Sequence, residues 1–432
     1  MLIFFYNIAQ LILLLLAWPV LVFLLVTRKK YRLLLARRLG LSLQSLSLQN
    51  VTSGSADAPL RRRTIWLHAL SLGEVTSAAP LLAGLRRRHP DSRIVVTIAS
   101  VSGESIGQSI LADSADLILP APLDLLPVVR RYLRAIRPDI YILVETDFWP
   151  NLLAELNRRH VPALLVNGRI SERSLTRYRR FCWFFQPMFS AFSAICLQSD
   201  GEKEKFRQLG IGQEYLYTLG NLKYDLPANA TTTADELLAL LPPGRPILVA
   251  GSTHQGEEES IFTAFRRIRR DHPELFLVVV PRRPERADEI VTIGHHFGLE
   301  GGKRTAPVAF FFDYLIVDTV GELAHLYHHC DIAFVGGSLV AAGGHNPLEA
   351  ARLGRPVLFG PHMEDFQEIA DELIACDGAR SIADCDELTA TLLELTAQPS
   401  LRQKMGAKAA ETVRARQGVV DRHLAMIENI WQ

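Results

Sequence analysis

Two doubly wound α/β domains behind an apolar N-terminal helix are what this 432-residue sequence predicts. Three observations predict it. Short apolar runs alternate with amphipathic stretches along most of the chain, as in parallel sheets covered by helices on both faces. A stretch rich in Thr, Pro and Gly (TTTAD, LPPGRP) divides that alternating series into two sets. The opening residues, Leu2 to Val26, carry no charge at all.

The opening segment comes first in the chain. A run of ~20 apolar residues spans a bilayer core as a helix, and this one is interrupted only by Tyr6, Asn7, Gln10, Trp18 and Pro19. Its basic residues follow rather than precede it: Arg28, Lys29, Lys30, Arg32, Arg37 and Arg38. That order speaks against a cleavable signal peptide. By the positive-inside rule it places the rest of the chain in the cytoplasm. The segment is assigned as an anchor over residues 1–40; its polar interruptions leave open a helix that enters one leaflet without crossing.

Residues 41–60, rich in Ser, Gln and Ala, read as a connector. The first domain is expected over 61–225, with strands at TIWLHAL, IVVTIAS, DLILP, DIYILVET, VPALLVN, AICLQS and YLYTLGN. After the linker, a second domain over 246–432 has strands at PILVAGS, LFLVVVP, DYLIVDT, DIAFVGG and PVLFGP. From about Ser400 the pattern is one amphipathic helix crossing back toward the first domain. Two such halves are expected to face a cleft, with ligands at the carboxyl ends of the strands.

Length and composition agree with this. Single cores stop growing near ~250 to 300 residues, so two are expected here. A net charge of +1 and 22% charged residues exclude a basic nucleic-acid binder. The five cysteines, Cys182, Cys196, Cys330, Cys376 and Cys385, show no CxxC spacing and read as reduced, buried and structural.

Chemistry is sought where strands end. In WLHALSLGE, a strand turns through Ser71 and Gly73 into a helix, and Glu74 sits in its first turn. It is either a general base or an acid complementing the helix dipole. His68, within the strand, reads as a satisfied core histidine. Glu145 ends YILVE, a buried strand, and no capping role accounts for it; Asp147 is expected to cap the helix opening near Pro150. Lys223, in GNLKYD, is either a counter-ion for an anion or a solvated loop lysine.

In the second domain, Arg282 and Arg283 follow a buried strand, one of them expected to face solvent; arginine suits phosphate through its planar fork. The run VGGSLVAAGGHNPLE joins a strand to a helix through glycines whose amides suit a phosphate, while Asn346, Pro347 and Glu349 have capping-box spacing. This loop matches neither the GxGxxG nor the GxxxxGK[ST] spacing, which disfavours a nicotinamide dehydrogenase. His345, Arg355 and His362 have no assigned part. Between Leu175 and Phe192, arginines and aromatics alternate in a pattern that fits either a lipid-facing surface or an aromatic core helix with a solvated arginine face.

Taken together, WLHALSLGE, ETDFWPN, NGRISERS, QSDGEKEKF, GNLKYD, AGSTHQGEEE, PRRPER, VDTVGELAHLY, FVGGSLVAAGGHNPLEAA and RPVLFGPHMEDF resemble the 3-deoxy-D-manno-octulosonic acid (Kdo) transferases over essentially the whole chain. The resemblance implies a GT-B fold, CMP-Kdo as donor, and inverting transfer without cofactor or metal. It also implies a lipid A precursor as acceptor, at the cytoplasmic face of a bacterial inner membrane whose lipids are partners.

Position by position, it implies Glu74 as general base and Glu145 and Lys223 as transition-state stabilisers. Pro281 and Arg282, then Val320, Gly321 and Glu322, then Asn346, Pro347, Leu348 and Glu349, match its CMP-binding segments. Two positions depart from the family pattern: Arg283 stands where a histidine is expected and Val320 where methionine is common. The competing readings are another membrane-associated GT-B enzyme with a UDP-sugar donor, and a non-enzymatic membrane-bound binding module.

Overall fold

The computed structural model describes residues 2–43, 62–226, 234–306 and 313–431. Two compact units emerge, Met1–Leu226 with Gly418–Gln432, and Pro227–Gln417. Of the connector expected at 41–60, Leu41–Leu43 form one 3-10 turn with Leu43 buried in the first core, and the rest lies outside the described residues. In the linker expected between the domains, residues 227–233 lie outside them too, and Ala234–Leu238 form a short helix.

The first unit is a seven-stranded sheet: β1 Thr64–Ala69, β2 Arg93–Ile98, β3 Leu117–Pro120, β4 Ile140–Val144, β5 Ala163–Gly168, β6 Ala194–Leu197 and β7 Leu216–Thr218. Every pairing is parallel, in the order β3-β2-β1-β4-β5-β6-β7. β1, β4 and β5 are buried at every position, which is why they read as unbroken apolar runs.

The second unit repeats the plan with β8 Ile247–Thr253, β9 Phe276–Pro281, β10 Gly301–Lys303, β11 Tyr314–Ile316, β12 Ile332–Val335, β13 Val357–Phe359 and β14 Ala379–Ser381. These are also parallel, in the order β10-β11-β9-β8-β12-β13-β14. The sequence reading missed β10 and β14. Both are three-residue edge strands, GGK and ARS, without an apolar run to announce them.

Strand order reverses direction between β1 and β4 in the first sheet, and between β8 and β12 in the second. At such a reversal the flanking loops diverge and open a crevice at the carboxyl ends of the strands. Glu74 follows β1 and Glu145 follows β4. The loops after β8 and β12 carry His254 to Glu258 and Gly336 to Leu339.

The C-terminal stretch is two helices, not the single one expected. Pro399–Arg416 and Val419–Trp431 are separated at Gly418, whose φ of 81° is the left-handed value that stops a helix. Asp225 fixes the break by accepting the Gly418 and Val420 N–H groups at 2.9 and 2.7 Å. The last helix belongs to the first unit, with His423 and Trp431 buried. His423 donates from Nδ1 to the Val419 carbonyl (2.9 Å) and accepts the Asn167 N–H at Nε2 (3.4 Å), so it is neutral; burial pushes its pKa down to about 4.

The aromatic segment is also two helices, Glu172–Arg180 and Cys182–Phe189. Phe189 and Phe192 are core, while Phe181, Trp183 and the arginines at 177, 179 and 180 are exposed, so the segment has both an aromatic core face and a solvated arginine face. All five cysteines are free; Cys196 and Cys330 are buried as expected, but Cys182, Cys376 and Cys385 are only half-buried. Leu2–Thr27 form the N-terminal helix, in which Leu2–Val20 are long and apolar enough to cross a membrane.

Removing residues 418–432 strips the C-terminal helix Val419–Trp431 from the first unit alone. The expected result in calorimetry is a lowered unfolding transition for that unit, with the transition of the other unit kept.

Candidate active site

Helix Leu72–Arg88 starts where β1 ends because Ser71 caps it, its Oγ accepting the Glu74 N–H at 3.3 Å. Glu74 reaches back, and its Oε2 accepts the Leu70 N–H at 2.6 Å. This near-capping-box holds the side chain in one place, only 6% exposed. Burial pushes its carboxyl up to about 8; the Leu70 N–H opposes this, the negative charges of Glu145 and Asp147 add to it, and Arg169 opposes it. The dipole-complementing reading therefore describes its backbone position. Its raised carboxyl comes from burial and from the acids beside it.

Glu145 sits just past β4 with φ 59°, a left-handed turn that a glutamate adopts only when its surroundings compel it. Its Oε1 accepts from Asn167 Nδ2 and its Oε2 from Arg169 Nε, both at 3.1 Å. Asn167, itself at φ 55°, uses its Oδ1 to accept the Leu222 N–H at 2.9 Å. The same amide therefore ties Glu145 to the turn carrying Lys223. Lys223 is half-buried in the 3-10 turn Leu222–Asp225, and its N–H bonds to Asn221 Oδ1 at 3.0 Å.

Asp147 does not cap the helix Pro150–Arg158. With φ 83°, it turns its Oδ2 onto His68 Nε2 (2.9 Å) and Trp149 Nε1 (2.7 Å). Asp124 supplies the cap instead, accepting the Asn151 and Leu152 N–H groups at 3.0 Å each. His68 is fully buried and bonded at both nitrogens, the other to Thr97 Oγ1 at 2.8 Å, as expected of a satisfied core histidine.

In the second unit the glycine loop is organised from within. Glu257, fully buried, accepts four backbone N–H groups: His254 (2.8 Å) and Gly337 (2.7 Å) at Oε2, Ser338 and Leu339 (both 2.9 Å) at Oε1. Three of these amides, Gly337, Ser338 and Leu339, belong to the glycine run expected to suit a phosphate, and an internal carboxylate occupies those three. Gly336 permits the approach, since a Cβ there would lie 2.6 Å from the Ser252 carbonyl oxygen. Glu258, beside it, binds Arg286 and Thr253.

The groups facing outward are others. Arg282 and Arg283 are both exposed, where one alone was expected to be. Arg282 lies close enough to His345 and Glu349 to act on both. His345 is held near 4 by burial, by Arg282 and by His254, whose Nε2 is 2.9 Å from its own. One ring of that pair carries the shared proton and the other is bare. Asn346 Oδ1 accepts the Leu348 N–H at 3.2 Å, the bond expected of a cap, although the helix begins only at Leu348. Burial raises the Glu349 carboxyl, opposed by Arg352, Asn346 and Arg282.

Pro281 ends β9. Val320 is 87% exposed, next to Gly321 at φ 95°, and Glu322 is buried against Thr319 and Arg304. Arg355 donates to the Tyr327 and His328 carbonyls, and His362 pairs with Glu364 at the surface. No group of three or more His, Cys, Asp or Glu side chains placed to hold a metal ion occurs among the described residues.

Residues 35–226 match the family model described as 3-Deoxy-D-manno-octulosonic-acid transferase (kdotransferase). The 3-deoxy-D-manno-octulosonic acid transferase of Haemophilus influenzae is 33% identical over 380 residues, covering 87% of this chain and 88% of that protein. The chain belongs to this transferase family. The Rickettsia felis member is 31% identical over 380 residues, 86% of this chain and 80% of that protein. A UDP-GlcNAc 2-epimerase from Neisseria meningitidis has the same fold at 12% identity, with a TM-score of 0.60, covering 83% of this chain and all (100%) of that one. The GT-B fold is thus shared with enzymes of different chemistry, and the reaction must be read from side chains.

In this transferase, sequence reasoning found Glu74 and Glu145 but not the residues that hold them. Asn167 and Arg169 lie in NGRISERS, where an amide at the end of a buried strand and a cation directly after it were the available signal. Glu257 and Glu258 show only as acids after a strand. Replacing Glu257 by Ala leaves four amides without their acceptor. The expected loss is roughly 3 kcal/mol or more of stability, measured by urea unfolding.

Proposed function

We propose that the chain transfers Kdo from CMP-Kdo to a lipid A precursor with inversion at the anomeric carbon, Glu74 serving as general base. The observation that carries this reading is the Glu74 carboxyl. It sits at the strand-order reversal of the first sheet and is raised to about 8 by burial, with one hydrogen bond to it among the described residues. A base with a pKa near the working pH is ionised often enough to act and basic enough to take a proton from a hydroxyl.

In the proposed step the acceptor hydroxyl gives its proton to Glu74 as its oxygen bonds to the anomeric carbon. The bond from that carbon to the CMP phosphate oxygen breaks, and CMP leaves with the electron pair. One displacement inverts the centre, so no covalent intermediate forms. Lys223 and Arg282 are assigned to offset the negative charge of the Kdo carboxylate and the departing phosphate. Glu145, clamped by Asn167 and Arg169, is assigned to the charge that develops at the sugar. Pro281, the segment from Val320 to Glu322, and the segment from Asn346 to Glu349 are assigned to the nucleotide. The basic residues from Arg28 to Arg38 support a catalytic portion on the cytoplasmic side.

Incubation of the purified chain with CMP-Kdo and a tetraacylated lipid A precursor, read by mass spectrometry of the lipid, tests the reaction; absence of any Kdo mass increment would refute it. Glu74→Gln is expected to lower turnover at least about 100-fold while CMP-Kdo binding is kept. The base acts only when ionised and its pKa is raised. The kcat/KM profile should therefore climb with pH and level off above about 8. Glu145→Gln removes a negative neighbour, lowers the Glu74 pKa and should move that limb to lower pH. Arg169→Met removes a positive neighbour and should move it higher.

A further inference from the structure

The polar residues that interrupt the N-terminal helix all face one surface of the first unit. Tyr6 donates its hydroxyl to Asp124 Oδ2 at 3.1 Å. Asn7 and Asn151 exchange amide hydrogen bonds at 2.8 and 3.1 Å. Gln10 Nε2 donates to the Asp124 carbonyl at 3.0 Å, and the Tyr6 ring lies 5.9 Å from that of Phe184. Leu2, Ile3, Tyr6, Asn7 and Gln10, a single helical face, are partly covered, whereas Leu11 to Leu16 are exposed without a break. The helix is docked as far as Gln10 and projects beyond it.

The chain then comes back. Helix Lys29–Arg38 returns to the same unit, where Arg38 Nε donates to the Ala121 carbonyl at 3.1 Å and Arg37 pairs with Glu104. Ala121 and Asp124 are three positions apart in one loop, so the two carbonyls that accept from Gln10 and Arg38 lie within about 11 Å of backbone of each other. Both ends of the apolar segment are thus held on one side. The projecting part, Leu11 to Thr27, is about 25 Å long, short of a hydrocarbon core of about 30 Å. The returning helix has 10 residues, five of them Lys or Arg, and a second crossing needs about 20 apolar ones.

We infer that the N-terminal helix does not cross the bilayer: it lies in the leaflet nearest the folded unit, with the N-terminus and that unit on the same face. Charge and surface chemistry name lipid as the occupant. Exposed Arg28 and Arg32 flank the apolar stretch. Exposed Phe181, Trp183, Arg177, Arg179 and Arg180 lie on the helices next to the Tyr6–Phe184 contact. Apolar side chains edged with arginine are the pattern of a helix resting in the headgroup boundary of an anionic membrane.

The test uses the full chain carrying one protease-sensitive tag before Met1 and a second after Gln432, whose helix belongs to the same unit. Intact spheroplasts and inverted membrane vesicles are treated with protease. Loss of both tags from one preparation and survival of both in the other is the expected result. Tags cut from opposite faces would overturn the inference. Three other outcomes count equally against it: an N-terminal tag protected in both preparations until detergent is added, equal cutting of that tag in both, and a chain that leaves the membrane in carbonate without detergent. The readout is independent of transfer activity, so it stands or falls apart from the proposed reaction.

Discussion

A carboxylate taken out of water must be given donors or keep its proton, and the first unit and the second each answer that constraint at the ends of their central strands. Glu257 is given four backbone amides, and the glycine loop takes its shape around it. Glu145 is given an amide and a guanidinium. Asp124 is given two helix-terminal N–H groups and a tyrosine hydroxyl. Glu74 receives one N–H among the described residues, beside two other acids, and burial raises it to about 8, further than Asp124, which its donors leave at about 6.

The supporting residues hold strained backbone in place. Glu145, Asp147 and Asn167 all have positive φ, a conformation that costs of order 1 to 3 kcal/mol each. It persists because each side chain is tied across strands: Asp147 to His68 on β1, and Glu145 to Asn167 on β5. The strain turns Glu145 and Asp147 toward Glu74, where both raise its pKa. Even the C-terminal helix contributes, since His423 bonds the Asn167 backbone and Asp225 fixes that helix beside the Lys223 turn.

Membrane attachment obeys the same rule. Asn7, Gln10 and Tyr6 look like defects in an apolar run, yet each meets a polar group of the folded unit. Polar groups that would be costly in hydrocarbon are paid for by Asp124 and Asn151, and Asp124 at the same time caps the helix that follows Trp149. The N-terminal helix and the first unit are therefore joined through partly buried hydrogen bonds.

What the sequence by itself determined is everything that depends on local pattern. Twelve apolar runs, from TIWLHAL to PVLFGP, became strands; most are buried on both faces and need little else to declare themselves, and the edge strands β3 and β7 lie within longer apolar runs. GGK and ARS were silent, since edge strands of three residues bury too little to require a pattern. Glu74 and Glu145 were legible as acids at strand ends. Tertiary structure alone decided which partners they have, because strand order brings β1 beside β4 and β4 beside β5, and no local pattern encodes that order. It alone showed Asp147 bonded to a histidine 79 positions away, and Asn7 bonded to an asparagine 144 positions away. Hydrogen bonds of that range are set by how the chain is packed, and packing is a property of the whole fold.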